Sequence, residues 1–273
     1  MNSIRKYLYD IRSEPFLRTS LEEVDHSGFS LVGSPMKFLI ITITFNNPNL
    51  VRHQSKLMDK FLQDNFLHLV VDNSNNAARS KEILEMCRDV SRAYVKLPPN
   101  PFKKPSASHS LALNWCVRHI IKTGKPEHFG FIDHDIYPVK PDRILPILER
   151  QKIFGLLQER KSIWYLWAGF CFFQFAAVQN CELDFFPGSV DGVGVDTGGQ
   201  LFREIFSNME RNNIFFPSQS YGDLRDGRDG NVPQSDKVEF IGNWMHSFNG
   251  SYWMPVPDKE KELQRMIEKF LRD

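Results

Sequence analysis

Cysteine is scarce and scattered in this chain. The 273 residues hold four, Cys87, Cys116, Cys171 and Cys181, with no C-x-x-C among them. That spacing argues against a thiolate zinc site and a disulfide framework, and it fits a reducing compartment. Charge of one sign is also missing: 34 Lys and Arg face 33 Asp and Glu, a formal net charge of +1. No global field points to nucleic acid or an anionic membrane, so any phosphate binding must be local. Long hydrophobic runs are absent. The longest, Trp164 to Val178, is broken by Gln174 and is too short to span a bilayer. The opening MNSIRKYLYDIRSEP lacks the apolar core of a signal peptide, so a soluble, cytoplasmic chain is expected. There is no internal repeat, and no glycine-rich phosphate loop follows the first apolar run.

What is present is an ordinary globular composition, 41% hydrophobic and 25% charged, with 23 Phe to fill a core. The length suits one large domain or two small ones. Residues 1–35 form a polar lead-in with a short helix expected around Ile4 to Ile11, closed by Gly33-Ser-Pro35. Lys37 to Thr44 is β-branched and apolar, a strand covered on both faces, and it stops at Phe45-Asn-Asn-Pro48. Leu50, Leu57, Met58, Phe61 and Leu62 then repeat at helical spacing. Leu67 to Val71 and Ala93 to Leu97 read as further strands, with a helix over Ser80 to Arg92 between them. This alternation indicates a parallel sheet with crossover helices, whose ligands bind at the carboxyl ends of the strands.

Three polar strand ends fall on that edge: Asn46-Asn47, Asp72-Asn73 and Asp133-His-Asp135. The last follows the apolar run Phe129 to Ile132 and is the chain's one D-x-D. In an extended backbone its two carboxylates share a side and His134 takes the other. Paired carboxylates repel unless a cation or a shared proton relieves them, and hard oxygen ligands suit Mg²⁺ or Mn²⁺. The bland alternative, one Asp capping a turn and the other solvated, is outweighed by the placement after a buried strand.

The remaining candidates are less sharp. Ser106 to Lys122 is apolar all round and reads as a buried helix capped by Ser106 or Ser108. Asn114 on it either reaches a ligand or bonds a neighbouring backbone, while His109 and His119 read as structural. Lys103 and Lys104 offer ammonium groups to phosphate or are simply solvated. Ile144 to Leu148 and Ile153 to Leu157 read as a helix and a strand, and Trp164 to Phe175 as one or two buried strands kinked at Gly169. Trp164 and Trp167 belong to the core or stack on a sugar. Asp191 and Asp196 lie in a Gly-rich turn before a helix expected from Gly199 to Asn208, where the rival role for Asp196 is an N-cap. Residues 218–236 read as a mobile loop by composition. Lys237 to Gly242 is a last strand, and Asp258 to Asp273 an amphipathic helix expected to pack on the domain, with a membrane-surface or dimer contact as the minority reading. Asn249-Gly-Ser is a turn rather than a glycosylation site.

From Lys37 to Phe248 these residues resemble a GT-A glycosyltransferase of the family-2-like group. The resemblance rests on the strand ends Thr44-Phe-Asn-Asn47 and Val71-Asp72-Asn-Ser, on Ser-Leu-Ala-Leu-Asn114, and on Asp133-His-Asp135. It implies an α/β fold with a mostly parallel sheet flanked by helices, in a single domain over residues 36–256. The donor half would span about 36–140 and the acceptor half about 141–256, with residues 257–273 a terminal helix. It implies nucleotide-diphosphate-sugar binding by Thr44, Asn46, Asn47, Asp72, Asn73, Asn114 and Asp133. It further implies Mn²⁺ or Mg²⁺ held by Asp133, Asp135 and His246, and Asp196 as the base that deprotonates a glycan or other hydroxyl acceptor, with an inverting outcome. Asp72-Asn73 stands where many members carry paired aspartates, and Asp196-Thr197 where an acidic pair is common. A sugar-nucleotide-synthesising nucleotidyltransferase and a non-catalytic nucleotide- or glycan-binding protein are the competing readings.

Overall fold

The apolar run Phe38 to Thr44 sits at the centre of the molecule. In the computed structural model, which describes residues 2–30, 36–224, 237–248 and 259–272, it is strand β2 and every residue of it is buried. The chain enters it through helix α1 (Asn2–Arg18) and a two-residue strand β1 (His26–Ser27). The first helix therefore runs past the Ile11 boundary expected from sequence. After β2 come α2 (Pro48–Phe61), β3 (Leu67–Asp72), α3 (Ala77–Asp89) and β4 (Ala93–Lys96). Helix α4 (Pro105–Cys116) continues through a π turn (Val117–Ile121) into α5 (Lys122–Gly124) and then β5 (His128–Asp133). Strands β4, β3, β2 and β5 lie side by side and all parallel, with Thr44 opposite Asp72 and Ile43 opposite Asp133. This is the α/β architecture that the resemblance implied.

Alternation along β2 divides the core between two helical layers. Leu39, Ile41 and Ile43 meet Leu111 and Trp115 of α4 on one face, while Phe38 and Ile40 meet Met58 of α2 on the other. Helix α4 is buried as its apolar surround predicts, but it starts at Pro105 with Lys104 before it, so neither Ser106 nor Ser108 is the cap. Proline at the first helical position costs nothing, because that N–H has no intrahelical partner. His119 is structural as expected and donates to the Leu17 carbonyl at 2.7 Å.

Beyond β5 the sheet turns antiparallel. After β6 (Ile136–Pro138) and α6 (Leu145–Leu148), β7 (Ile153–Arg160) and β8 (Ile163–Gln174) complete a seven-stranded sheet, β8 pairing with β5. The aromatic stretch is thus one strand, and its pairing with β7 is irregular around the expected kink at Gly169: Gly155 opposes Cys171 but Leu157 opposes Leu166. Most of its rings are core: Phe170 lies edge-on to Trp244 at 5.2 Å.

The chain then runs through α7 (Phe175–Val178), the hairpin of β9 (Gly188–Val190) and β10 (Val193–Val195), α8 (Leu201–Glu204), β11 (Gln219–Asp223), β12 (Lys237–Ile241), β13 (Trp244–His246) and α9 (Lys259–Arg272). The helix expected from Gly199 to Asn208 is a single turn, α8, followed by a 3-10 turn at Phe206–Asn208. The expected loop 218–236 contains a strand, β11, while residues 225–236 lie outside the described residues, as does Asn249. Strands β11, β12, β13 and β6 form a second, antiparallel sheet. Pro138 is tolerated there because β6 is an edge strand. Helix α9 packs its Leu263 and Ile267 against Leu50, Leu57 and Tyr137, as expected from its apolar face. Lys60 donates to the carbonyls of Phe270 and Leu271 at the end of that helix.

Candidate active site

Because β2, β3, β4 and β5 run parallel, their carboxyl ends share one edge, and the two sheets meet beside it. A cleft of about 340 Å³ opens there, walled by Asp133, Asp135, Trp167, Asp196, His246 and the first turns of α4. A second cleft of about 860 Å³ adjoins it and shares Phe45, Asn73 and Ser108.

The D-x-D does not lie in one extended strand. Asp133 closes β5, His134 and Asp135 form a turn, and β6 begins at Ile136. The expected two-residue alternation therefore fails, because the strand has already ended. The carboxylates nevertheless reach the same cleft, brought there by the turn. His134 points back into the sheet: its Nδ1 accepts from the Phe45 N–H at 3.3 Å and lies 3.1 Å from the Thr44 hydroxyl. Burial pulls the His134 pKa down, which keeps that nitrogen free to accept. From the second sheet, Ser247 donates its N–H to the Asp135 carbonyl at 2.9 Å.

His246 lies on β13, which pairs with β6 and so arrives alongside Asp135. Its Nε2 stands 3.7 Å from Asp135 Oδ1, and its Nδ1 2.9 Å from Glu239 Oε2. The ring lies between Trp167, at 4.9 Å, and Phe248, at 4.3 Å. Burial lowers the His246 pKa, but Asp135 and the bond to Glu239 outweigh it and the net direction is up. Glu239 shows the converse: burial works against its charge, yet the bonds from His246 and Gln219 hold its pKa below the usual range.

Asp133 occupies the opposite side of the turn, with Oδ1 3.3 Å from His109 Nε2. It depends on Gly169. A Cβ there would meet Asp133 Oδ2 at 2.7 Å and the Trp167 ring at 2.5 Å. Asp196 lines the same cleft and is exposed. Its Oδ1 accepts from the Thr197 N–H at 2.8 Å, and its own N–H donates to the Tyr165 hydroxyl at 3.2 Å. The first residue of α8 is Leu201 and the position before it Gln200, so the rival N-cap role for Asp196 does not hold. Gly198 permits the tight turn between them with φ of +88°.

Of the other sequence candidates, Asn73 lines this cleft and the rest are placed around it. Asp72 is wholly buried beneath the second cleft, where it accepts from Ser74 N–H and the Tyr94 hydroxyl and lies 3.6 Å from Lys96 Nζ. Thr44 is buried against His134. Asn46 adopts a left-handed backbone, φ of 54°, and ties this turn to Asn75 and Asn76. Asn47 caps α2. Asn73 lines both clefts and is held by Ser108 and Asn100. Asn114 lines neither; its amide donates to Asp184 and its carbonyl accepts from Phe185. Of the residues lining the cleft, His109 reads as structural in sequence and Phe45 has no role there; Glu239, which holds His246 from behind, is not singled out. For His109 a signal existed, since a helix following a parallel strand starts at the carboxyl edge of the sheet and its first turns face the ligand side.

Among the described residues no three His, Cys, Asp or Glu side chains already stand at the separations of a complete metal cage. The donor chemistry nonetheless fits Mn²⁺ or Mg²⁺, which take one or two carboxylates and complete their shell with substrate phosphates and water. An imidazole whose far nitrogen is held by a carboxylate is likewise arranged as a ligand.

No protein-family model matches the chain, and no curated protein matches it. Among solved structures it is similar to TarS of S. aureus, at 16% identity over 55% of this chain and 30% of that one, with TM-score 0.37. It is also similar to the mannosyltransferase PcManGT of Pyrobaculum calidifontis in complex with GDP-Man and Mn²⁺, at 14% identity over 63% and 53%, TM-score 0.39. A third is the mannosyltransferase Ktr4p of S. cerevisiae, at 9% identity over 66% and 67%, TM-score 0.39. The chain thus spans about a third of TarS and about half of PcManGT. Likeness at this level is partial, and the reading of the site rests on its own geometry. Among the described residues no helix is long and apolar enough to cross a membrane.

Proposed function

We propose that this chain is a glycosyltransferase that moves a sugar from a nucleotide-diphosphate sugar to a hydroxyl acceptor, assisted by Mn²⁺ or Mg²⁺. The observation that carries the reading is the meeting of Asp133, Asp135, His246 and Asp196 in one cleft at the carboxyl edge of a parallel sheet. In this reading the nucleoside lies in the second cleft against Asn73, over a floor shaped by Thr44, Asn46, Asn47 and Asp72. Residues of about 36–140 serve the donor and those of about 141–256 the acceptor. Asp133, Asp135 and His246 hold the cation beside the diphosphate, and the uncapped start of α4 presents its N–H groups to the same anion. The bound cation supplies charge neutralisation for the leaving diphosphate. Asp196 takes the proton from the acceptor hydroxyl, whose oxygen forms the new bond to the anomeric carbon as the bond to the diphosphate breaks. One such displacement inverts that carbon.

A thermal-shift screen of UDP-, GDP-, CMP- and dTDP-sugars, each with and without Mn²⁺, tests this. One nucleotide series should raise the melting temperature, and more so with Mn²⁺. No shift from any of them in either condition overturns the reading. A response only to nucleoside triphosphate with sugar phosphate would instead support nucleotidyl transfer.

A further inference from the structure

Helix α2 buries three polar residues, His53, Gln54 and Ser55, among its apolar ones. Leu50, Leu57 and Met58 are buried in it, and so, with no exposure at all, is Gln54. A buried carboxamide is costly unless both its ends are bonded. Here both are. Gln54 Nε2 donates to the Asp133 carbonyl and to the Ile136 carbonyl, each at 2.8 Å. These are the first and last residues of the turn that carries the D-x-D, so one amide group uses its two protons to grip both ends of that turn.

The grip has a backing. Gln54 Oε1 accepts from the Thr42 hydroxyl at 2.7 Å, and His68 Nε2 lies 2.9 Å from the same hydroxyl. Thr42 has a single proton and gives it to Gln54, so His68 must donate through Nε2. Its Nδ1, which then needs no donor role, has no partner among the described residues. Thr42 and His68 are both buried, on β2 and β3. The direction of every bond is therefore fixed from His68 through Thr42 and Gln54 to the turn, and the amide cannot flip without breaking three of them.

We infer that Gln54 is a positioning residue for the metal and diphosphate site: it sets the spacing of the Asp133–Ile136 turn and so the direction in which Asp135 presents its carboxylate. This rests on the proposed function insofar as the turn is taken to bind a cation. Partners that orient ligands without touching the metal typically change its affinity by about 10- to 100-fold.

The test uses the full chain and Mn²⁺ alone, with free Mn²⁺ followed by electron paramagnetic resonance well below each variant's melting temperature. Gln54→Met keeps the volume and removes the donors; Thr42→Val leaves Gln54 in place but unbacked. Mn²⁺ affinity should fall about 10- to 100-fold in Gln54→Met and by a smaller factor in Thr42→Val. Ile83→Ala, on the α3 side of the sheet, should lower the melting temperature yet leave Mn²⁺ affinity within about twofold. Amide hydrogen exchange of His134 to Ile136, measured without metal, should speed up in Gln54→Met and not in Ile83→Ala. The inference is overturned if Gln54→Met binds Mn²⁺ like wild type, or if Ile83→Ala loses as much affinity. Should the wild-type chain bind no Mn²⁺, the functional reading fails by itself, and unchanged exchange in Gln54→Met then overturns the positioning role separately.

Discussion

The two walls of the cleft are built to different standards of rigidity. Asp135 is buried and sits in a turn gripped by Gln54, by Ser247 and through the His134 ring. Asp196 is exposed, in a Gly-flanked turn where its Oδ1 accepts from the Thr197 N–H and its own N–H donates to Tyr165, with backbone bonds from the Gly199 N–H to the Asp196 carbonyl and from the Gly198 N–H to the Phe185 carbonyl. Preorganisation suits a group that must hold charge at a fixed point. Openness suits one that must accept an incoming hydroxyl of unfixed position. The difference predicts that substitutions on the first wall change binding and those on the second change turnover.

The largest effect should come from the fixed wall. Asp135→Asn is expected to abolish the Mn²⁺-dependent part of stabilisation by a nucleotide sugar in a thermal-shift titration; a wild-type response would make the turn merely structural. On the open wall, Asp196→Asn should cut turnover by about 100- to 10,000-fold, the usual range for a lost general base. Donor binding and melting temperature should stay near wild type, since no helix loses a cap. A variant that instead binds donor poorly would erase the contrast between the walls.

Much of this was legible in the chain and some of it was not. The parallel core was, because Phe38 to Thr44, Leu67 to Asp72 and Phe129 to Ile132 are apolar runs each ended by turn-forming polar residues. The second sheet was not: Gln219 to Asp223 has no apolar alternation, and β6 finds β13 only across a long stretch of chain. The D-x-D was read as a strand because a two-residue period extrapolates past a strand end that sequence does not mark. The cap role for Asp196 follows from a helix expected at Gly199, whereas α8 starts at Leu201. Gln54 carries a signal of its own, a polar residue among the leucines of a helix stripe, but sequence does not show what it bonds. Asp72 is expected at the donor's base or ribose, and sequence does not show that Tyr94 and Lys96 on the neighbouring strand enclose it.

Smaller effects sharpen the same contrast. In Gly169→Ala the new methyl must displace Asp133 Oδ2 or the Trp167 ring, at a cost of about 1–3 kcal/mol in stability. It should also weaken Mn²⁺ binding several-fold, while an equally tight exposed position would touch stability alone. Beneath the fixed wall, burial, with the charge of Arg92 adding to it, pulls the His68 pKa from 6.5 to about 3. The unfolded chain then takes up a proton near pH 6.5 that the folded chain refuses. The stabilisation is complete above pH 6.5 and is lost as pH falls toward 3. Urea titrations between pH 6.5 and 5 should show His68→Gln with a shallower fall, by at most about 1.4 kcal/mol per pH unit. An unchanged slope would mean that His68 titrates normally.

On the proposed reading a cation and a donor diphosphate meet at Asp133 and Asp135, with Asp196 lining the same cleft. Crystals grown with Mn²⁺ and the nucleotide sugar selected by the thermal-shift screen, measured at the manganese edge, test it most directly. The account predicts an anomalous peak in bonding contact with the Asp135 carboxylate and the diphosphate, and the Asp196 carboxylate facing the anomeric carbon. A peak elsewhere, or a nucleotide bound with Asp133 and Asp135 untouched, would contradict it.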